Sequence, residues 1–234
     1  MCGITGWIDW ENDLTRQGKI LDHMVATLEK RGPDASGVWL SPRAALGHRR
    51  LIVVDPAGGG QPMIRRRGEH TFVITYNGEL YNTPDLHDEL IKCGYSFQGH
   101  SDTEVLLTAY MEWGPECLRK LNGIFAFAVW DEGRQRLFLA RDRLGVKPLF
   151  YAQVGESFLF GSEIKAILAN PMMKPVINVE GLAEIFLLGP ARTPGNGIFK
   201  GIKELKPGHC MLYHRNVMKL RRYWHLENME HRDN

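Results

Sequence analysis

Short apolar and β-branched runs recur along the chain, separated by polar and glycine-containing segments. Such runs predict strands, and they occupy residues 4–10, 37–40, 44–48, 51–54, 71–76, 124–131, 136–142, 149–154, 157–161, 209–213 and 217–223. The last two runs predict a hairpin near the end of the sequence. Two basic clusters accompany these runs: residues 65–67 are predicted to form a solvated loop, and residues 221–222 a strand edge.

A second set of segments places apolar residues at the three- and four-residue spacing of an amphipathic helix. The predicted helices cover residues 18–31, 83–94, 101–113, 162–168 and 178–188. The residues predicted to cap their N-termini are Thr83, Ser101, Ser162 and Asn178. Pro84 suits a first helical position, and Glu104 completes a capping box with Ser101.

Strands and helices follow one another in blocks rather than in strict alternation. A parallel, doubly wound sheet needs a helix after nearly every strand, whereas blocks of strands indicate antiparallel pairing. The order therefore favours an α+β fold built of layers. With 234 residues the chain is long enough for one well-filled domain or two small ones.

Composition narrows the classes of partner. A net charge of +2 is too small to indicate a polyanionic ligand, so no nucleic acid is expected. Four scattered cysteines without a C-x-x-C pair do not suggest a disulfide framework, and nine histidines lack zinc-site spacing. There is no signal-peptide pattern, and the longest apolar run, residues 124–130, is too short to cross a bilayer. A cytoplasmic location without membrane attachment is predicted.

Cys2 directly follows the initiator methionine. Removal of Met1, which the small Cys2 side chain should permit, would place a thiol and a free α-amine on one residue. A thiol is a strong nucleophile, and an α-amine has a pKa of about 7.7–8.0, suited to a general base at neutral pH. The alternative is that Cys2 is simply a small apolar residue of the first strand.

Asn77-Gly78 follows the strand at residues 71–76. An asparagine amide beside a glycine N–H offers two donors that can converge on one oxygen, which is how an oxyanion hole is built. The same dipeptide is also a leading signal for a tight hairpin turn. Taken alone, the dipeptide favours the turn.

Two charged residues suit an amino-acid ligand. Arg50 can grip a carboxylate with two parallel hydrogen bonds, although with Arg49 beside it a surface role is equally reasonable. Asp102 can hold an ammonium, although a carboxylate in the first turn of a helix is favoured by the helix dipole anyway.

Seven motifs occur in one order and together carry a resemblance. They are Cys-Gly-Ile at 2–4, Arg-Gly-Pro-Asp at 31–34, Gly-His-Arg-Arg-Leu at 47–51, Tyr-Asn-Gly-Glu at 76–79, Ser-Asp-Thr-Glu at 101–104, Arg-Asp-Arg-Leu-Gly-Val-Lys-Pro-Leu at 141–149 and Ser-Glu-Ile-Lys-Ala at 162–166. The set resembles the class II glutamine amidotransferase domain of glutamine-hydrolysing asparagine synthetases. The match extends through residues 205–208, almost the whole chain.

The resemblance implies a fold and a set of roles. The fold is a four-layer αββα sandwich, with two antiparallel sheets between helices as in N-terminal nucleophile hydrolases. Cys2 is implied as the nucleophile with its own α-amine as base, and Asn77 with the Gly78 N–H as oxyanion donors. The substrate implied is L-glutamine.

The resemblance also implies how the rest of the glutamine is bound. Arg50 would pair with the α-carboxylate, and Glu79 and Asp102 would receive the α-ammonium. The residues implied as a wall giving backbone contacts are Leu51, Ile52, Val53 and Val54. Ile52 stands where many relatives have serine and Arg143 where many have proline. Because the first is contacted through its backbone, its change is expected to matter little.

The resemblance divides the sequence into residues 1–220, the amidotransferase domain, and residues 221–234, the start of a linker to an absent ATP-binding synthetase domain. No cofactor is expected in this chain, since ATP and Mg²⁺ would belong to that domain, whose pyrophosphate loop has no counterpart here. The expected partner is this C-terminal synthetase domain, and a homodimer is left open. The alternatives are another ATP-dependent amidating or cyclising synthetase, or a non-catalytic glutamine sensor.

Overall fold

The computed structural model describes residues 1–53, 58–189, 191–215 and 217–227. Its twelve strands, within those ranges, are β1 (Gly3–Asp9), β2 (Ala35–Leu40), β3 (Ala44–Arg50), β4 (Met63–Arg67), β5 (His70–Leu80), β6 (Gly123–Asp131), β7 (Arg136–Arg141), β8 (Phe150–Val154), β9 (Ser157–Gly161), β10 (Ile202–Glu204), β11 (His209–His214) and β12 (Val217–Arg222). The helices of the same ranges are α1 (Gly18–Ala26), α2 (Thr83–Lys92), α3 (Asp102–Trp113), α4 (Ile164–Leu168) and α5 (Val179–Leu188), with 3₁₀ turns at Leu14–Arg16 and Gly114–Arg119.

The strands form two six-stranded antiparallel sheets. Sheet A has the order β10-β8-β9-β1-β3-β2, and sheet B has the order β12-β11-β7-β6-β5-β4. Strand β5 is paired with β6 over its last nine residues, from Phe72 opposite Asp131 to Leu80 opposite Gly123. The predicted α+β class with two antiparallel sheets is confirmed.

Three apolar clusters hold four layers together. The inner faces of the two sheets share one core, which includes Phe158, Phe160 and Trp130. Helices α1 and α4 cover the outer face of sheet A, and α2 and α3 cover the outer face of sheet B. Alternate residues of each strand thus face different cores, as the two-residue period of a strand requires.

Register brings the N-terminus beside the end of β3. Gly3 lies opposite Arg49 in the β1–β3 pair, so Cys2 lies next to the chain that leaves β3. Polar bonds between the sheets fix β3 against β5: Thr75 donates from Oγ1 to the Gly47 carbonyl at 3.1 Å. The start of β1, the end of β3 and the end of β5 therefore meet at one end of the sandwich.

Two strand predictions are wrong. The arginines at 65–67 form β4 rather than a solvated loop, because Arg65 and Arg67 reach over the helices of sheet B and bond Thr108 and the Met111 carbonyl. The predicted strand at 51–54 is absent over its described residues, 51–53. Their apolar side chains do not enter a sheet, and the Ile52 N–H donates instead to Asp34.

The helix ends also differ from expectation. The first helix stops at Ala26 and continues as turns to residue 31. Thr83 is the first residue of α2 rather than its cap, and its hydroxyl donates to the Leu80 carbonyl. Ser162 does not cap α4, because its hydroxyl accepts a hydrogen bond from the Ile4 N–H on β1.

The N-caps predicted for α5 and α3 are confirmed. Asn178 accepts from the Gly181 N–H, and Ser101 accepts from the Glu104 N–H. The capping box is only half formed, because the Glu104 carboxylate accepts from the N–H groups of Gln98 and Gly99 instead of returning to Ser101. The short strand β10 was not predicted at all.

No helix in the described ranges is both long and apolar enough to span a membrane. No cluster of three or more histidine, cysteine, aspartate or glutamate side chains with metal-binding geometry occurs in the same residues.

Candidate active site

A cavity of about 160 Å³ opens at the end of the sandwich where β1, β3 and β5 meet. Its walls come from the N-terminus, the segment after β3, the end of β5, the first turn of α3 and the loop before β8. The residues that line it are Met1, Cys2, Arg50, Leu51, Val53, Gly59, Gln61, Tyr76, Asn77, Gly78, Glu79, Ser101, Asp102, Thr103 and Lys147.

The sulfur of Cys2 is held by backbone at one side of this cavity. The Leu51 N–H donates to Sγ at 3.4 Å, and the thiol can donate to the Leu51 carbonyl at 3.6 Å. The Cys2 carbonyl accepts from Nε of Arg31 at 2.9 Å, and that guanidinium also pairs with Glu163 at 3.1 Å. Hydrogen bonds therefore hold both the side chain and the backbone of Cys2 in place.

Met1 covers the cavity from the N-terminal side. It is 55% exposed and lines the same space as Cys2. While Met1 is attached, the nitrogen of Cys2 is part of a peptide bond and has no basic lone pair. Its removal would both open the cavity and free an amine next to the sulfur.

Strand β5 runs straight through Asn77 and Gly78, so the dipeptide does not form a hairpin turn. Asn77 is 1% exposed, and its Nδ2 has no hydrogen-bond partner among the described residues. Buried polar groups are nearly always bonded, and an exception needs a reason. Because Asn77 also lines the cavity, a ligand oxygen is the natural partner for this donor.

The ladder of sheet B shows where the Gly78 N–H points. Phe125, opposite Gly78, directs both of its backbone groups at Asp142, away from β5. Gly78 and Phe125 are therefore a non-hydrogen-bonded pair of the antiparallel ladder. In such a pair the backbone groups of both residues point away from the partner strand, so the Gly78 N–H points away from β6. The N–H groups of Tyr76 and Leu80 point to the same side of β5, where the first donates to Gln61 and the second to Asp102. Gln61 and Asp102 both line the cavity, and Gly78 lies between their two partners on β5.

Gly78 has no room for a side chain. A Cβ at this position would lie 2.4 Å from the Ile124 carbonyl oxygen and 2.9 Å from the Phe125 Cα. Both are backbone atoms of β6, which cannot move without breaking the ladder. Glycine is therefore required for the close approach of the two strands rather than for a turn.

Arg50 is the last residue of β3, rather than the first of a following strand, and it is buried at the cavity wall. Of the residues predicted to form a wall after Arg50, Leu51 and Val53 line the cavity, whereas Ile52 does not. Val54 lies outside the described residues. The Ile52 N–H bonds Asp34 at 2.8 Å, which accounts for Asp34 of the Arg-Gly-Pro-Asp motif.

Asp102 and Glu79 lie on the side of the cavity formed by α3 and β5. The Asp102 carboxylate accepts from the Tyr76 hydroxyl at 2.8 Å and from the Leu80 N–H at 3.2 Å. Burial raises the pKa of Asp102 above its usual range, although these two hydrogen bonds act in the opposite direction. Glu79 is exposed and lines the same cavity.

The sequence pattern does not indicate two further residues that line the cavity, Gln61 and Lys147. Gln61 bridges two elements, accepting from the Tyr76 N–H at 2.6 Å and donating to the Thr103 hydroxyl at 3.2 Å. Lys147 is only 8% exposed, and none of the ion pairs found in the described ranges includes it. The signal for Lys147 was its place in the motif at 141–149, to which no role was given.

The fold and the cavity define a class of protein: a sandwich of two antiparallel sheets with a cysteine, directly before the first strand, in the wall of its cavity. Comparison with known proteins agrees. Residues 1–224 match the family described as the glutamine amidotransferase domain, and the chain belongs to this family.

Curated relatives extend the comparison. The chain is 56% identical over 233 residues to asparagine synthetase [glutamine-hydrolyzing] 3 of Bacillus subtilis strain 168, with 100% of this chain and 38% of that protein covered. It is 39% identical over 170 residues to asparagine synthetase B [glutamine-hydrolyzing] of Escherichia coli strain K12, with 72% and 30% covered. The chain therefore spans well under half the length of these relatives.

A solved structure shares the fold. Glutamine phosphoribosylpyrophosphate amidotransferase from B. subtilis superposes with a TM-score of 0.69 at 21% identity, covering 95% of this chain and 49% of that chain. At this identity the likeness shows the architecture alone, and the four-layer sandwich of two antiparallel sheets between helices is confirmed.

Proposed function

We propose that this domain hydrolyses L-glutamine to glutamate and ammonia through a thioester on Cys2. After Met1 is removed, the freed α-amine of Cys2 takes the thiol proton and the sulfur attacks the side-chain amide carbon. The C–N bond then breaks, ammonia leaves with the proton returned from the amine, and a γ-glutamyl thioester remains. Attack by water, with the same amine as base, releases glutamate and restores the thiol.

The oxyanion of each tetrahedral intermediate is assigned to the Asn77 Nδ2 and the Gly78 N–H. One observation carries the proposal: the buried Asn77 amide has no partner in the described part of the chain and lines the same cavity as Cys2 Sγ. A preorganised donor of this kind stabilises a transition state by about 2.7–4 kcal/mol. An unpaired donor is costly in a resting protein, and a substrate oxygen would relieve that cost.

The remaining lining charges suit the amino-acid end of glutamine. We assign the α-carboxylate to Arg50, since a buried guanidinium can bind it with two parallel hydrogen bonds. The α-ammonium is assigned to Asp102 and Glu79. Arrival of that cation would favour the charged form of Asp102, offsetting the rise in pKa that burial causes.

The test compares Cys2→Ala with Cys93→Ala, a change at an exposed cysteine that does not line the cavity. Ammonia release from glutamine should be lost in the first variant and unchanged in the second. Intact mass should show loss of one methionine in active preparations. An alkylating glutamine analogue should label only the trimmed chain, at Cys2. Ammonia release by Cys2→Ala at the wild-type rate would overturn the proposal.

The wider role proposed is that of the glutaminase part of an asparagine synthetase, working in the cytoplasm with a C-terminal synthetase domain. Ammonia would pass to an aspartate activated by ATP and Mg²⁺ in that domain, and the chemistry in this chain would use its own side chains alone. The 56% identity to a protein named asparagine synthetase supports this acceptor. A chimera in which this chain replaces the matching region of that relative should make asparagine from glutamine. Failure with glutaminase activity intact would indicate another acceptor.

A further inference from the structure

The pairing of β4 with β5 ends before the cavity. The last pair of the ladder is Met63 opposite Ile74, at the first residue of β4. Strand β5 continues beyond this pair to Leu80, paired with β6 on its other side. In this extension the N–H groups of Tyr76, Gly78 and Leu80 point to the side on which β4 has ended. These groups therefore need acceptors other than the backbone of a neighbouring strand.

Side chains bond two of these three N–H groups. The Tyr76 N–H donates to Oε1 of Gln61 at 2.6 Å. The Leu80 N–H donates to the carboxylate of Asp102 at 3.2 Å. The Gly78 N–H lies between them and has no side-chain acceptor in the described part of the chain, although Gly78 lines the cavity. The edge of β5 thus offers one free donor to a ligand, between two donors that are already bonded.

Gln61 provides the acceptor that a longer β4 would have provided. Continued in the same register, the ladder would place Gln61 opposite Tyr76, where a backbone carbonyl would accept the N–H. The Gln61 backbone lies against sheet A instead, since a Cβ on Gly37 of β2 would be 2.1 Å from the Gln61 carbonyl oxygen. The side-chain oxygen of Gln61 accepts in place of that carbonyl. The edge of β5 is therefore bonded here without a strand that would cover the cavity.

The other end of the Gln61 carboxamide is bonded to α3. Its Nε2 donates to Oγ1 of Thr103 at 3.2 Å. Thr103 is buried and follows Asp102 in the first turn of the helix. One side chain thus joins Tyr76, which precedes the proposed oxyanion donors, to Thr103, which follows the proposed ammonium site.

We propose that Gln61 is a positioning residue that sets the distance between the Gly78 N–H and the Asp102 carboxylate. The assignment of these two groups to the amide and the α-ammonium of glutamine rests on the proposed function. The two ends of a glutamine molecule are joined by a short chain, so the spacing of β5 and α3 determines whether both ends are bound at once. A misplacement of about 1 Å lowers an enzymatic rate by up to about 10²-fold.

A carboxamide can make this bridge without adding charge. It has an acceptor for a backbone N–H and a donor for a hydroxyl. A carboxylate at the same position would accept from Tyr76, but it would bring a negative charge beside the proposed oxyanion. Methionine has a similar length and neither polar group, so Gln61→Met removes both hydrogen bonds and keeps most of the packing.

The test measures ammonia release by the 234-residue chain over a range of glutamine concentrations. Each rate is divided by the number of Cys2 thiols that an alkylating glutamine analogue labels at completion, so that misfolded and untrimmed chains do not contribute. Gln61→Met should lower kcat by about 10–100-fold and raise KM by about three- to tenfold, because both the donor and the carboxylate are displaced.

Thr103→Val separates the two bonds of the bridge, because it removes only the bond to α3. It should raise KM by about three- to tenfold and leave kcat within about twofold of the wild type. The double variant with Gln61→Met should have the KM of Gln61→Met alone, since the two substitutions remove the same contact to α3.

Hydrogen exchange gives a readout that needs no catalysis. In the Cys2→Ala background, the Tyr76 amide should exchange at least about tenfold faster after Gln61→Met, because its acceptor is lost. After Thr103→Val the exchange rate of this amide should be unchanged, because the acceptor remains.

The matched controls are Gln153→Met and Thr71→Val. Gln153 lies on β8 and Thr71 at the start of β5, and neither residue lines the cavity. Both variants should keep kcat and KM within about twofold of the wild type.

Three results would overturn the proposal. They are wild-type kcat and KM in Gln61→Met, a loss of kcat that disappears after division by labelled Cys2, and a wild-type KM in Thr103→Val. The second result would give Gln61 a purely structural role. Failure of the proposed function would appear separately, as ammonia release that survives Cys2→Ala.

Discussion

The imidazole of His48 donates from Nε2 to the backbone carbonyl of Tyr76 at 3.1 Å. A ring on β3 of sheet A is thereby bonded to the residue just before Asn77 on β5 of sheet B. Because a carbonyl oxygen only accepts hydrogen bonds, the hydrogen of the ring must be on Nε2. Burial lowers the pKa of His48 from its ordinary 6.5 to about 4, so the ring is neutral at pH 7.

The free energy of unfolding should fall as the pH drops from about 6.5 towards 4. In this window the unfolded chain binds a proton at His48 and the folded chain does not, so acid favours unfolding. The loss attributable to this residue is on the order of 3 kcal/mol. Urea unfolding at several pH values measures it. His48→Gln should flatten the profile in this range, and an unchanged profile would contradict the assignment.

Replacing Asn77 by alanine should lower kcat by about 10²–10³ with little change in KM, because the donor is used only when the oxyanion forms. Steady-state ammonia release measures both constants. Asn122→Ala, at an exposed asparagine outside the cavity, is the matched control. Wild-type kcat in Asn77→Ala would remove the residue from the proposed mechanism.

Arg50→Lys should raise KM for glutamine by about 10–100-fold while kcat changes less. A lysine keeps the charge but cannot make two parallel hydrogen bonds to a carboxylate. The neighbouring Arg49→Lys is the control, because Arg49 donates to the Gly32 carbonyl instead of lining the cavity. Equal KM values in the two variants would show that Arg50 does not bind the substrate carboxylate.

Gly78→Ala should destabilise the fold by about 1–3 kcal/mol and abolish most activity, since the new methyl group would meet β6 backbone at 2.4 Å. Gly60→Ala is the matched change, because a Cβ there meets nothing within 4 Å. Thermal unfolding and ammonia release should separate the two variants clearly. Equal stability would mean that β5 and β6 can move apart.

Lys147→Met should leave the free energy of unfolding unchanged or increase it, because it removes a buried charge without an ion pair in the described ranges. The value of kcat/KM should fall about tenfold, since a positive charge that lines the cavity and would stabilise the proposed oxyanion is lost. Lys19→Met, on the exposed side of α1, is the control. A fall in stability with unchanged kinetics would assign Lys147 a purely structural role.

Much of the fold could be predicted from local pattern. The runs at 124–131 and 157–161 are continuously apolar because they lie between two cores, and they match β6 and β9 closely. The sequence does not indicate strand β4, because its three arginines suggest a solvated loop. Two of them lay their side chains over aromatic rings instead, Arg65 over Phe97 and Arg67 over Tyr95.

At the site, too, the sequence indicates the chemistry of single residues but not which of them lie close together in space. Cys2, Arg50, Asn77 and Asp102 were selected for their chemistry, but only the pairing of β1 with β3 and of β5 with β6 places them around one space. The turn suggested by Asn77-Gly78 did not form, because β6 continues to pair beyond it. Gln61 carries no local signal at all, since its role depends on the N–H of Tyr76 and the hydroxyl of Thr103.

The half-exposed Met1 has a practical consequence for enzymology. Under the proposed mechanism a chain that keeps it is inert, however well folded, so a purified batch is a mixture whose bulk rate scales with the trimmed fraction. Expression level and aminopeptidase supply would then change apparent turnover without any change in the catalyst. Rates normalised to the number of free cysteine termini, counted by mass spectrometry, would compare variants on equal terms.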